Sequence, residues 1–442
     1  MKFLKKIFPY ILLIISIFLF ILTYYKSEIY WEGTKKDYYL IYYILSILIF
    51  FFSIIIFFLN KKTKEYFIIL VMSIMLSLYI FEGYSQFNKM ITKEQIIYEK
   101  KTGKKYDMRT KLDLYQDLQK KYKKISTTVT ARKFLEENNS ILPFSGIANS
   151  KTIGCNENGY FSIFQSDRYG FNNPDKEWDS NEIEFILVGD SFVYGDCVSR
   201  PYDITSVLRS LSNKSALNLS NRGNGPLVEY ATLREYLKSN VKKILWIYYE
   251  GNDPDDLIKE LQSNILNEYL KDLSFSQNLI LRQNEIDKIT NKIIEKEKIK
   301  AKEKKVFKIK FINFLKLNHT RTQLNTFLPG KFQPYNLTER IRNQEFKKIL
   351  KLTKNLANKN NSELYFVYLP AYHRYKTDFD NMNYNLIKKI VNDLGIHLID
   401  IHTEVFEKED NPLKLFPFES YGHYTPEGYK KIAGALFEKL EN

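Results

Sequence analysis

The stretch Ile183-Glu184-Phe185-Ile186-Leu187-Val188-Gly189-Asp190-Ser191-Phe192-Val193-Tyr194-Gly195-Asp196 decides the fold. Its opening residues are a short β-branched and aromatic run without helical period, stopped by Gly189. Such a run reads as a buried parallel strand feeding a turn. The turn presents Ser191. In open parallel sheets the carboxyl ends of the strands form the ligand crevice, so a hydroxyl held there stands where chemistry is done. An isolated Gly-Asp-Ser serves as well to cap a helix, so the reading depends on what surrounds it.

Downstream, residues 201–212 predict a helix, 216–219 a short strand, Asn221-Arg222-Gly223-Asn224-Gly225-Pro226 a tight loop, and 227–239 a second helix. Residues 243–249 form a third strand, closed by Glu250-Gly251-Asn252-Asp253-Pro254. Two more strands are expected at 363–369 and 396–401, with helices near 338–359, 383–394 and 426–440. Alternating strands and helices predict an α/β, three-layer, flavodoxin-like domain with a parallel sheet of about five strands.

Between the third and fourth strands lies an insertion at 260–335, longer than a crossover needs. It carries nine Lys against three Glu within 292–310, preceded by Ile286, Ile289 and Ile293 at helical spacing. A solvated helical hairpin and a contact with a membrane surface or polyanion both fit this pattern. Upstream, residues 150–180 are rich in Gly, Asn, Asp and aromatics, the chemistry of turns. Residues 86–149 are polar and Lys-rich with helical patches at Leu112, Leu114, Leu118 and Tyr122, and read as a membrane-proximal stalk and helical lead-in.

The first 85 residues are different. Residues 7–24, 38–59 and 66–81 are almost wholly apolar and close to bilayer-spanning length, predicting a three-helix transmembrane anchor. Tyr24-Tyr25-Lys26 follows the first run in place of a small-residue cleavage site, so it reads as a retained span and not a signal peptide. Lys2, Lys5 and Lys6 before it, and Lys61, Lys62 and Lys64 between the second and third spans, place both segments in the cytoplasm. Everything after about residue 85 is then expected outside.

The net charge of +15 accompanies a general richness in Lys, Asn, Ile, Tyr and Phe, and no nucleic-acid motif interrupts it. No nucleic-acid partner is expected. Cys155 and Cys197 are the only cysteines, and both fall in the segment placed outside the cytoplasm. An even count in a disulfide-permitting compartment favours one bridge over two free thiols. Neither lies in a Cys-x-x-Cys or His-containing cluster, so no metal site is expected.

Ester cleavage needs a nucleophile, a base and donors aimed at the developing oxyanion. Ser191 offers the nucleophile and its own N–H, Gly223 a bare N–H, and Asn252 a side-chain amide, each after a strand end. Of the five histidines, His423 alone follows a Gly and directly precedes a helix capped by Thr425 with Pro426 at its first position. This chemistry calls for no cofactor.

With these blocks in order, residues 183–440 resemble the SGNH hydrolases, the GDSL-type esterase and acyltransferase superfamily. Gly189-Asp190-Ser191 with Tyr194-Gly195 carries the nucleophile block, Asn218 to Gly223 the glycine block, Gly251-Asn252-Asp253 the asparagine block, and His423 with Gly428 the histidine block. Residues 150–180 also resemble the lead-in of membrane-tethered bacterial members. The resemblance implies Ser191 and His423 as catalytic, an oxyanion hole of Ser191, Gly223 and Asn252, and support from Asp190 and Asp253. It usually places an Asp three residues before the His, where this chain has Ser420. Glu419 is the acid expected in its stead, with Asp400 or a Ser-His dyad as alternatives. The implied protein is a bacterial inner-membrane esterase or O-acyltransferase facing the periplasm. Its expected partners are the lipid bilayer and an acylated, foremost acetylated, cell-envelope glycan or lipid. An inactive SGNH domain that binds a glycan or assembly partner is the alternative.

Overall fold

The computed structural model describes residues 2–30, 33, 36–87, 93–137, 139–303, 307–321, 337–376, 379 and 381–441. The chain divides into two compact units, one of residues 1–90 with 304–335, the other of 91–303 with 336–442.

The first unit holds three helices, Lys2–Tyr24, Lys36–Phe58 and Lys61–Phe87. Each contains a stretch long and apolar enough to cross a bilayer. Phe8, Ile56 and Ile68 pack between them, while Phe18, Leu48 and Leu76 point outward. The helix Phe307–Leu315 and residues through Arg321 belong to this unit. Tyr79 donates to the Leu315 carbonyl at 3.0 Å, and buried Glu82 accepts the His319 and Thr320 N–H groups. Part of the Lys-rich insertion therefore packs on the third of these helices, and its residues 304–306 and 322–335 lie outside those described.

The second unit is built on a five-stranded parallel sheet. In chain order its strands are β4 (Ile183–Val188), β5 (Ala216–Asn218), β6 (Val241–Tyr249), β7 (Glu363–Leu369) and β8 (His397–Asp400), and their spatial order is β5-β4-β6-β7-β8. Leu187 pairs with Leu245 and Tyr248 with Tyr368 in register. β4 lies between β5 and β6 and is covered on both faces, which is why its sequence is a nearly continuous apolar run. Against one face pack the helices Pro226–Tyr236 and Leu337–Lys359; against the other pack Ile204–Ser212 and Pro426–Glu441.

Two expectations change. Residues 86–149 are not a stalk beyond Lys111, because Leu114 and Tyr115 pack on Ile153, and Phe134, Leu142 and Phe144 enter the main core. The first half of the insertion is not a solvated hairpin. Its helix Gln283–Glu303 buries Ile286, Ile293 and Ile294 in that core, with Ile289 partly buried beside them. Its Lys face is spent partly on ion pairs of Lys292 and Lys296 with Glu137, while its Glu297 pairs with Lys133. A second, three-stranded sheet of β1 (Ile125–Thr127), β2 (Lys151–Ile153) and β3 (Ile163–Gln165) organises the lead-in.

Candidate active site

Ser191 opens a one-turn helix, Ser191–Tyr194, directly after β4. Asp190 caps it by accepting the Phe192 N–H at 2.9 Å. A Cβ at residue 189 would meet Val193 Cγ2 at 2.4 Å and the Ile247 carbonyl at 2.9 Å, so only Gly permits this strand-to-helix corner. The far end of the turn is pinned by two amides, Asn172 donating to the Tyr194 carbonyl and Asn218 to that of Val193. The nucleophile block is thus held by side chains of both the lead-in and β5.

His423 Nε2 lies 2.8 Å from Ser191 Oγ. Thr425 caps the following helix through the Gly428 N–H, and Phe192 packs on the imidazole with ring centroids 4.6 Å apart. Nδ1 faces Glu157, whose two carboxylate oxygens each stand 3.1 Å away, and Glu157 also accepts the His423 backbone N–H at 2.6 Å. With the ring proton on Nδ1, Nε2 is free to accept the Ser191 hydroxyl.

Glu419 is not brought to the imidazole. It is exposed, its carboxylate accepts from Asn411 at 3.4 Å, and only its backbone carbonyl is used inward, by Tyr372. Asp400 is likewise committed elsewhere, to Tyr384, Lys388 and the His402 N–H.

Glu157 was not singled out from the sequence. Three features carry it in. Cys155 and Cys197 are joined in a disulfide, Asn158 donates to the Cys197 carbonyl at 3.1 Å, and Gly422 leaves the space the carboxylate fills. A Cβ at residue 422 would lie 2.7 Å from Glu157 Oε2. The signal available in the sequence was the expected bridge itself: a link from Cys155 to the nucleophile turn draws every neighbouring residue toward Ser191.

Cys155, Glu157, Cys197 and His423 each put one donor atom within 4.8 Å of the others. That spacing would suit a metal, but the two sulfurs are bonded to each other and the carboxylate and imidazole are paired. The donor set does not fit an ion.

The loop after β5 places Gly223 at φ +67°, a left-handed conformation natural to Gly. Its neighbour Asn224 donates to the Gly189 carbonyl at 3.3 Å, tying this loop to the nucleophile corner. After β6, Asn252 donates to Asp256 at 2.9 Å, and Asp253 accepts the Tyr249 N–H at 2.8 Å, closing the turn. Ser191, Gly223 and Asn252 follow the carboxyl ends of the neighbouring strands β4, β5 and β6.

The electrostatics are uneven. Burial disfavours the His423 cation, but the hydrogen bond to Glu157 and the charges of Asp196, Glu157 and Asp190 outweigh it, raising His423 above its ordinary value. Burial alone would raise Glu157, yet its bonds and charge contact with His423 bring it below the usual carboxylate range. Burial pushes Asp190, Glu229 and Asp253 upward, and the charge repulsion among them adds to the push on Glu229 and Asp253.

Nucleophile, glycine, asparagine and histidine blocks thus converge at the carboxyl edge of the β5-β4-β6-β7-β8 sheet. The fold is an α/β three-layer arrangement, a five-stranded parallel sheet with helices on both faces. No protein-family model matches the chain, and no curated protein matches it. Among solved structures it is similar to a protein described as lipolytic, of the G-D-S-L family, from Desulfitobacterium hafniense DCB-2. The identity is 14%, over 58% of this chain and 99% of that one, with a TM-score of 0.31. It is also similar to the acetyl xylan esterase AlAXEase, at 12% identity over 58% of this chain and 100% of that one, with a TM-score of 0.33.

Proposed function

We propose that the protein is a membrane-anchored serine ester hydrolase or O-acyltransferase acting on acyl esters, foremost acetyl, of a cell-envelope glycan or lipid. The observation that carries this reading is the relay from Ser191 Oγ to His423 Nε2 at 2.8 Å and from Nδ1 to Glu157 at 3.1 Å. Ser191 Oγ attacks the ester carbonyl while its proton passes to Nε2. The Ser191 and Gly223 N–H groups and the second N–H of the Asn252 amide receive the oxyanion. The imidazolium then protonates the departing alcohol, leaving an acyl-Ser191. Water or an acceptor hydroxyl, deprotonated by the same imidazole, resolves it. Glu157 holds the Nδ1 tautomer and offsets the imidazolium charge without itself reacting.

An inactive binding domain was suggested by the lack of an Asp at position 420. Glu157 supplies a carboxylate at Nδ1 by another route, and that motive falls away. The three apolar helices and their flanking lysines support a multi-pass inner-membrane protein with its C-terminal unit in the periplasm. The disulfide beside the site favours the same side, since the cytoplasm keeps thiols reduced.

The test is labelling of the full chain, in detergent, with a serine-directed fluorophosphonate. Labelling at Ser191 that is abolished in Ser191→Ala is the expected result. Absence of both labelling and turnover across several acyl donors would overturn the enzymatic reading.

A further inference from the structure

We infer that the catalytic crevice takes an anionic glycan, whose carboxylate or phosphate is received by Lys111 and Arg222 beside the reacting ester. This rests on the ester-cleaving reading of the same site and adds the charge class of its substrate.

The two cations converge on one neutral oxygen. Lys111 Nζ lies 3.2 Å and Arg222 Nη1 3.1 Å from Thr128 Oγ1. Arg222 immediately precedes Gly223, and its Nε pairs with buried Asp196. Asp196 Oδ2 in turn stands 3.9 Å from His423 Nε2, the nitrogen that faces Ser191. The pair is therefore one side chain removed from the reacting atoms. The wall that carries it is the lead-in. The Ala131 N–H donates to the Arg222 carbonyl at 2.8 Å, and Thr130 lies in contact distance of the space beside Gly223.

Several cations of this chain are matched by carboxylates. Arg168 is matched by Asp175 and Asp179, Arg374 by Glu250, and Lys388 by Asp400. Lys111 has no carboxylate within ion-pairing distance among the described residues; its one hydrogen bond goes to a hydroxyl that it shares with a second cation. Burial and the Arg222 charge push its amine down to about 8, with Asp196 pulling the other way. Structural cations are matched with carboxylates because an unmatched charge is costly to hold away from water. A ligand anion would relieve this one, through charge-assisted bonds to both side chains. Both remain reachable, Lys111 partly exposed and the Arg222 side chain 22% exposed.

The test compares three acetylated probes on the full chain in detergent: oligogalacturonate (carboxylate), a ribitol-phosphate oligomer (phosphodiester) and xylo-oligosaccharide (neutral). The readout is the ratio of kcat/KM for each acidic probe to that for the neutral one, which a general loss of folding or catalysis does not move. The parent should prefer one acidic probe, and which one identifies the anion. Lys111→Gln should lower that ratio about tenfold, the loss of one charge-assisted contact, mainly through KM, with Lys111→Arg restoring most of it. An unchanged ratio in Lys111→Gln, or a parent that prefers the neutral probe, overturns the inference and leaves the esterase reading standing. Equilibrium binding of the same probes to Ser191→Ala separates the two claims. A preference for acidic probes supports the inference even if no ester turns over, and equal binding of all three refutes it.

Discussion

Replacing Glu157 with Gln keeps the shape of the site and removes one charge. In the parent, the imidazolium that forms as Ser191 gives up its proton would stand 3.1 Å from the carboxylate. Two unit charges at that separation attract by about 5 kcal/mol at an effective dielectric of about 20. The Glu157 side chain is 30% exposed, and water screens roughly half of this, leaving about 2.5 kcal/mol, or close to a hundredfold in rate. The Gln carbonyl can still accept the His423 backbone N–H, so the fold should hold. The assay is kcat/KM for p-nitrophenyl acetate by the full chain in detergent, with thermal unfolding measured alongside. Glu157→Gln should fall about a hundredfold at an unchanged melting temperature, whereas Glu419→Gln should stay within about twofold of the parent, because its carboxylate contacts only Asn411. Parental rates in Glu157→Gln, or an equal fall in Glu419→Gln, would refute the assignment.

Three further outcomes are expected. His423 must be neutral to act as base and titrates above its ordinary value, so kcat/KM for the free enzyme should rise with pH through a limb above 6.5. Glu157→Gln removes the strongest influence raising that value, so the limb should move to lower pH; a stationary or upward-moving limb contradicts the pairing. Replacing both cysteines with Ser opens a loop of 42 residues, costing about 4 kcal/mol in the chain-entropy model. It should also lower kcat/KM by freeing Glu157, and full activity in a correctly folded double variant would show that the bridge does not position the acid. Finally, a reporter active only outside the cytoplasm should work when fused after residue 90 and fail when fused at Lys62, and equal signals would reject the orientation drawn from the basic residues.

The sheet was legible because β4, β6 and β7 are compact β-branched and aromatic runs stopped by Gly189, Glu250-Gly251 and Pro370, and the observed bounds fall within a few residues of those expected. Ser191 and His423 were legible for a related reason: local turn chemistry exposes each of them, the Gly189 corner for one and the Thr425-Pro426 cap for the other. The bridge could be read from compartment and count. Glu157 could not, because nothing local marks it. It lies in a turn-rich segment 266 residues from its imidazole, and its role arises only when Gly422 opens space and the bridge closes. The lead-in was misread for a similar reason. Leu114, Phe134 and Phe144 are sparse and far apart among polar and Lys-rich sequence, so composition reports solvent where the fold has core. In the helix Gln283–Glu303 the isoleucine stripe was visible, but the density of lysines on the other face outweighed it.

The span between acid and base has a consequence for synthesis. Glu157 and Ser191 leave the ribosome long before His423, which follows them by 266 and 232 residues. Closing so distant a contact is slow and comes late in folding. Until the helix Pro426–Glu441 docks, the growing chain holds Glu157 and Ser191 without the imidazole proposed to work between them. On the proposed mechanism, a chain that stops short of His423 cleaves nothing.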